Sequence, residues 1–180
     1  VVVLPSVPLA TRNSDVEHAH RQHSDVYYLS GFDEPDAVLV LSNVHKEHQA
    51  VLFVRPKNRE REIWDGYRHG VEGAVGTFGV DAAFPVSELE QRLPDYLEGA
   101  GRLHHELGEH TEFDGQVLRA LHLVRMRCRR DGRTTPTEIV STQVSIHEMR
   151  LVKQEAELAL MRRANAITTE GHLAAMRAAR

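Results

Sequence analysis

Cysteine is nearly absent from this sequence: among 180 residues, Cys128 alone carries a thiol. A disulfide framework and a cysteine-based zinc site are therefore excluded, and a reducing cytoplasm is the expected compartment. An excess of charge of one sign is lacking too. The 22 Lys+Arg and 26 Asp+Glu leave a net charge of -4, so no global basic field argues for nucleic acid or an anionic membrane. The apolar opening, residues 1–10, has no basic start, contains Pro5 and Pro8, and is far too short to span a bilayer. It reads as a buried strand and a turn. The sequence opens without methionine, so the gene is expected to start upstream. Repeats, low-complexity tracts, a GxSxG elbow, a GxxxxGK[ST] loop and a GxGxxG loop are all missing. Gly66, Gly70, Gly73, Gly76 and Gly79 recur without phosphate-loop spacing.

What is present is ordinary globular composition, 41% hydrophobic and 27% charged, enough for one core or one domain with an appendage. Residues 1–4 and 7–11 look extended, and residues 26–30 form another β-rich run ended by Gly31. Residues 37–41 (AVLVL) and 50–54 (AVLFV) are apolar on both faces, as central strands covered on both sides would be, with a polar turn between them. Residues 56–70 read as a charged loop holding Trp64. Residues 87–98 suggest a helix with Ser87 as N-cap, Glu90 at capping-box spacing and Pro94 awkwardly inside. Residues 102–107 form a weak strand. Residues 113–128 put Val117, Leu121 and Val124 on one helical face, with Leu118 and Met126 beside it. Strands interleaved with helices predict an α/β sandwich. From Lys153 on, Leu160, Ala164, Ile167, Gly171 and Ala174 make an apolar helical stripe, with Glu155 and Glu157 in the first turn. This stripe is read as the first helix of a second, missing domain.

Twelve histidines invite a metal site, so their spacing matters. His18, His20 and His23 fall in a polar connection, and His45 and His48 in a turn. His104, His105 and His110 flank Glu106 and Glu109 in neither HExxH nor HxxEH order. His147-Glu148-Met149-Arg150-Leu151 has leucine where a second ligand would stand. Surface or core roles are expected for all of them, and no metal or other cofactor is expected in this segment. Cys128 reads as a structural thiol. Arg125, Arg127, Arg129, Arg130 and Arg133 read as a solvated helix face, or as an anion site. Trp64, the sole tryptophan, sits in EIWDGYR, where aromatic and arginine side chains on a loop form a recognition set. A cover for its own domain's core is the competing role.

Residues 12–41, RNSDVEHAHRQHSDVYYLSGFDEPDAVLVL, resemble the characteristic stretch of the amino-terminal domain of Xaa-Pro aminopeptidases. VLFV, EIWDGYRHG, FGVDAAFPVSELEQRLP and HEMRLVK follow in order, so the resemblance covers nearly the whole chain. Ala19, His20, His23 and Gln154 depart from the usual pattern. The resemblance implies a creatinase-type α/β fold, a mixed six-stranded sheet flanked by helices. It implies an amino-terminal domain over residues 1–146, a linker over 147–153, and the first helix of a "pita-bread" catalytic domain over 154–180.

The full enzyme would cleave after the first residue of peptides with proline second, using two manganese or similar divalent ions held downstream. A metal-bound hydroxide would attack the carbonyl there. This segment would be inactive alone, shaping access to the active site and carrying homo-oligomer contacts. Trp64 would close over a bound peptide; Arg133, or Arg130 under a different gap, would pair with the substrate's polar end, and Arg68 is a further candidate. A prolidase-like hydrolase and a non-catalytic protein-binding module are the alternatives, separated by the downstream metal ligands.

Overall fold

A computed structural model describes residues 1–179. Contacts divide the chain into two compact units, residues 1–142 and residues 143–180. In the first unit the elements run β1 (Val2–Pro5), β2 (Thr11–Asn13), β3 (Val16–Glu17), α1 (Ser24–Ser30), β4 (Val38–Leu41), β5 (Ala50–Val54), α2 (Arg59–Asp65), α3 (Gly70–Phe78), β6 (Ala82–Pro85), α4 (Leu89–Leu97), β7 (Arg102–His104), α5 (Thr111–Cys128) and β8 (Glu138–Val140).

Six strands form one mixed sheet in the order β6-β5-β4-β1-β7-β8, while β2 and β3 make a separate hairpin. β4 runs antiparallel to both its neighbours; the pairs β5·β6, β1·β7 and β7·β8 are parallel. All strands but β4 therefore point the same way. The β4–β5 hairpin pairs Val38 with Phe53 and Leu41 with Ala50. A parallel neighbour needs a crossover: α2 and α3 carry the chain from β5 to β6, and α5 carries it from β7 to β8.

The two apolar runs lie where continuous hydrophobicity predicts, inside the sheet with both faces covered. On one face Val3, Val40, Val51, Phe53 and Leu103 pack with Leu93 and Leu97 of α4 and Val117, Leu121 and Val124 of α5. On the other, α3 lies against β5 and β6, and Phe32 meets Phe78 edge-on with ring centroids 5.1 Å apart. Truncating one such side chain, Leu93→Ala for example, costs about 2–5 kcal/mol.

The structure corrects several local expectations. Residues 26–30 are not a strand but the end of α1. The His23 ring accepts the Asp25 N–H at its start, and Gly31 closes it with φ 69°. So short an apolar run carries no period that separates helix from strand. Residues 56–70 are not all loop. Asn58 accepts the N–H groups of Glu60 and Arg61, both at 3.1 Å, and caps α2. None of its seven residues is buried, so no apolar stripe announces it. Within residues 7–11 only Thr11 belongs to a strand, in the β2–β3 hairpin.

Ser87 caps nothing. It lies in a 3-10 turn, Val86–Glu88, ahead of α4, and α4 has no side-chain cap. Pro94 stays inside α4 because Leu93, Pro94, Tyr96 and Leu97 are all buried, and their packing outweighs one lost backbone bond. Leu118 and Met126 of α5 are exposed rather than packed beside its buried face. The weak strand at 102–107 is shortened to Arg102–His104.

From residue 142, α6 (Thr142–Leu151) takes in most of HEMRLVK, and the chain is non-helical only at residues 152–154 before α7 (Glu155–Ala178). The Glu157 carboxylate accepts the Gln154 N–H at 2.8 Å, so a glutamine start is capped from within the helix. None of the α7 residues is buried, and its stripe residues Leu160 and Ile167 stand exposed.

Candidate functional site

The shared strand direction gives the sheet an exit edge, where β1, β5, β6, β7 and β8 end, and an entry edge, where they begin. In open sheets of this kind ligands gather beyond the strand ends. The exit edge here is built around buried polar side chains.

Its centre is Glu34. Gln22 donates to the Glu34 carbonyl at 2.9 Å, while the Gln22 side-chain oxygen accepts the N–H groups of Val7 and His23. Glu34 Oε1 accepts the His69 N–H at 2.6 Å. One glutamine and one glutamate thus tie the end of β1, the start of α1, the approach to β4 and the start of α3. Asp36, two residues on, has φ 53°, a left-handed backbone that aspartate tolerates better than most residues.

Arg55, at the end of β5, approaches Glu34 Oε2 at 3.9 Å and Asp36 at 4.0 Å. Neither is within hydrogen-bond reach. Glu34 Oε2, Arg55 Nε and His20 Nε2 are all buried without a hydrogen-bond partner in the protein, and all three residues line a cavity of about 460 Å³. Burial and the nearby Arg55 guanidinium lower the His20 pKa, against smaller opposing effects of Asp33 and Asp36.

Beside this cavity α2 carries the tryptophan. Trp64 is 86% exposed, Ile63 79% and Tyr67 67%. Trp64 therefore does not cover its own core. Arg68 folds back onto Asp65, its Nη2 at 2.7 Å from Oδ2, and its N–H reaches Glu62 Oε1 at 3.0 Å. The loop is pinned at Gly70, whose φ is 65° and where a Cβ would lie 2.6 Å from Lys57 Cγ and 3.3 Å from the Lys57 nitrogen. Any other residue there meets both a strained backbone and a backbone neighbour.

Farther along the exit edge, His105 is fully buried, with Nε2 2.8 Å from Asp114 Oδ1 and Nδ1 3.2 Å from the Val3 carbonyl. Gly108 N–H donates to Asp114 Oδ2 at 2.9 Å. Burial works against ionisation of Asp114, but these bonds from Gly108 and His105 win and lower its pKa.

Arg130 and Arg133 are elsewhere. They follow α5, in a loop that joins the start of β7: Gly99 N–H donates to the Thr134 carbonyl and Thr137 N–H to Gly101. That is the entry edge. Arg133 is paired with Glu98 and Asp131, while Arg130 is exposed. Of the four residues expected to face substrate, the fold puts Trp64 and Arg68 at one edge and Arg130 and Arg133 at the other. Two copies of the chain, or a ligand as long as the sheet, would be needed to bring all four to one molecule.

The sequence reading missed Gln22, Glu34, Arg55, His69 and the His105–Asp114 pair. Gln22 and Glu34 do fall within the stretch that carries the family resemblance. Arg55 and Asp114 had no signal, because only the folded chain brings them to their partners.

A mixed six-stranded α/β sandwich with a polar exit edge describes a class of domain. Comparison with known proteins makes it particular. Residues 1–104 match the family described as aminopeptidase P, N-terminal domain. The chain is 40% identical to the Xaa-Pro aminopeptidase of Escherichia coli over 95% of its length, and 30% identical to Xaa-Pro aminopeptidase 3 of Rattus norvegicus over 97%. Its fold matches the structure of Pseudomonas aeruginosa aminopeptidase PepP with a TM-score of 0.89, at 39% identity over 97% of this chain and 39% of that one. A zinc-substituted E. coli aminopeptidase P in complex with product matches with a TM-score of 0.84, at 38% identity, over 95% of this chain and 39% of that one. This chain belongs to the aminopeptidase P N-terminal domain family. It spans 39% of the E. coli relative and 34% of the rat one.

Proposed function

We propose that this chain is the amino-terminal domain of a cytoplasmic Xaa-Pro aminopeptidase, an enzyme that removes the first residue from peptides with proline second. The observation that carries the reading is the match itself: 40% identity to a Xaa-Pro aminopeptidase along 95% of the chain. The domain bounds proposed with it are 1–146, 147–153 and 154–180, although the compact unit ends at residue 142 and α6 runs on to Leu151; the exposed apolar stripe of α7 suits the first helix of a following domain. No helix among the described residues is long and apolar enough to cross a membrane.

In the full enzyme, two manganese or similar divalent ions are expected. Among the described residues no group of three or more His, Cys, Asp or Glu could hold a metal ion. The contribution proposed for this chain is access and positioning. Trp64, held outward by a short capped helix, is suited to close over a peptide in the active site of a neighbouring subunit of a homo-oligomer. Arg133, Arg130 and Arg68 are the candidates to pair with the peptide's polar end. Arg133 must first give up Glu98 and Asp131, and Arg68 must give up Asp65, which leaves Arg130 the least encumbered.

The test is cleavage of a short Xaa-Pro peptide. The 180-residue chain should release nothing, and the protein extended by its downstream sequence should release the first residue. Trp64→Ala in the extended protein should lower kcat/KM by about tenfold, the value of one desolvated aromatic contact. Cleavage by the short chain, or an extended protein indifferent to Trp64, would overturn these roles.

A further inference from the structure

The exit-edge cavity holds groups that the peptidase reading does not use. Glu34 is 8% exposed and Arg55 nearly as enclosed, yet Glu34 Oε2, Arg55 Nε and His20 Nε2 find no hydrogen-bond partner in the protein. Leaving such groups unpaired costs about 1–3 kcal/mol apiece. Glu34 is not loosely placed. Its other carboxylate oxygen and its carbonyl are both fixed by hydrogen bonds, so Oε2 is held in position facing Arg55.

The lining chemistry selects the occupant. Glu17, Asp33, Glu34 and Asp65 bring four carboxylates to the cavity, of which Asp65 is already paired with Arg68, against the single lining guanidinium of Arg55. A simple anion would satisfy Arg55 but face that acidic surplus. A simple cation would satisfy Glu34 but stand against Arg55. A molecule carrying an ammonium and a carboxylate on one carbon meets both, because the Glu34 carboxylate and the Arg55 guanidinium are themselves neighbours, with Arg55 Nη2 3.9 Å from Glu34 Oε2. The volume, about 460 Å³, is in the range of small-ligand pockets and far exceeds one water. Little apolar surface lines it beyond Leu9, Pro35 and the Tyr67 ring, so a small or polar side chain fits best.

We propose that the cavity between Glu34 and Arg55 is a binding site for a free α-amino acid, the ammonium on Glu34 Oε2 and the carboxylate on Arg55 Nε. The site belongs to this chain alone and does not depend on the peptidase reading.

Glycine, acetate and methylammonium are titrated separately into the 180-residue chain. Binding is followed by calorimetry and by the NMR shift of the His69 amide, which reports on Glu34 through their hydrogen bond. Glycine should give a saturable shift at roughly millimolar concentration, the range open to so small a ligand. Each half-molecule should bind at least about tenfold more weakly. Glu34→Gln keeps an acceptor for the His69 N–H but loses the charge, and should weaken glycine at least about tenfold. Arg55→Lys, which keeps charge without the guanidinium fork, should weaken it similarly. The wild-type comparison stands even if a variant folds poorly. A glycine response that never saturates, or one matched by acetate or by methylammonium, overturns the proposal. So does a folded Glu34→Gln chain that binds glycine as before.

Discussion

The two edges of the sheet use charge in opposite ways. At the exit edge the central charged groups are enclosed, although their partners Asp36 and Asp65 are more open: Glu34, Arg55, Arg68 and Asp114 all have side chains less than one-sixth exposed. At the entry edge and along the outer helices the pairs sit in water. Arg133 meets Glu98 and Asp131, Arg127 meets Asp95, and Arg102 meets Glu138, with the arginines 43–55% exposed. A tally of ion pairs would rate the two regions alike. Dielectric separates them: an exposed pair contributes little net stability, whereas a buried polar group is costly as soon as its partner is removed. The exit edge is therefore specified in detail, and the entry edge tolerates change.

Substitutions at four positions test that contrast, beginning with the largest effect. Asp114→Ala leaves the buried His105 Nε2 and the Gly108 N–H without their acceptor, each costing about 1–3 kcal/mol in urea unfolding. The same residue sets a pH dependence. Its folded-state pKa lies below the unfolded value, so its contribution is complete above about pH 4 and disappears as pH falls through the lower, folded value. Asp114→Asn should flatten the acid limb of the stability curve in that window, and an unchanged limb would place the acid sensitivity elsewhere.

Next comes Gly70→Ala, with φ 65° and a Cβ 3.3 Å from the Lys57 nitrogen. It should cost about 1–3 kcal/mol and release the loop that carries Tyr67. Trp64→Ala should leave stability within about 0.5 kcal/mol of the parent, since the ring packs on nothing of its own domain. A large loss would mean that Trp64 is structural. Arg133→Ala should be smallest, with no measurable shift in the urea midpoint although two ion pairs are removed. A shift comparable to that of Asp114→Ala would erase the distinction between the edges.

How much of this was legible beforehand depended on whether the signal was local. The β4 and β5 runs were readable because both faces of a central strand are buried and the sequence is apolar throughout. The buried face of α5 was readable from its period. α1 was misread because a run of four apolar and aromatic residues suits either conformation. α2 was missed because it buries nothing, and its only cue was Asn58 two residues ahead of Glu60. Trp64 stood out by residue type, but its exposure depends on how α2 sits beyond β5. Glu34 and Arg55 are 21 positions apart, Gln22 and Val7 15, and no spacing rule joins them.

By itself the sequence determined the α/β class, the two central strands, the long helices and the family, because each rests on hydrophobic pattern or on residue order along the chain. Tertiary structure alone decided that Trp64 and Arg133 lie at opposite edges, that Pro94 is tolerated within α4, and that Glu34 and Arg55 face one another across a cavity. Those outcomes depend on strand direction and on contacts between distant residues. The pattern of side chains along a segment records which face is buried, but not what that face will meet.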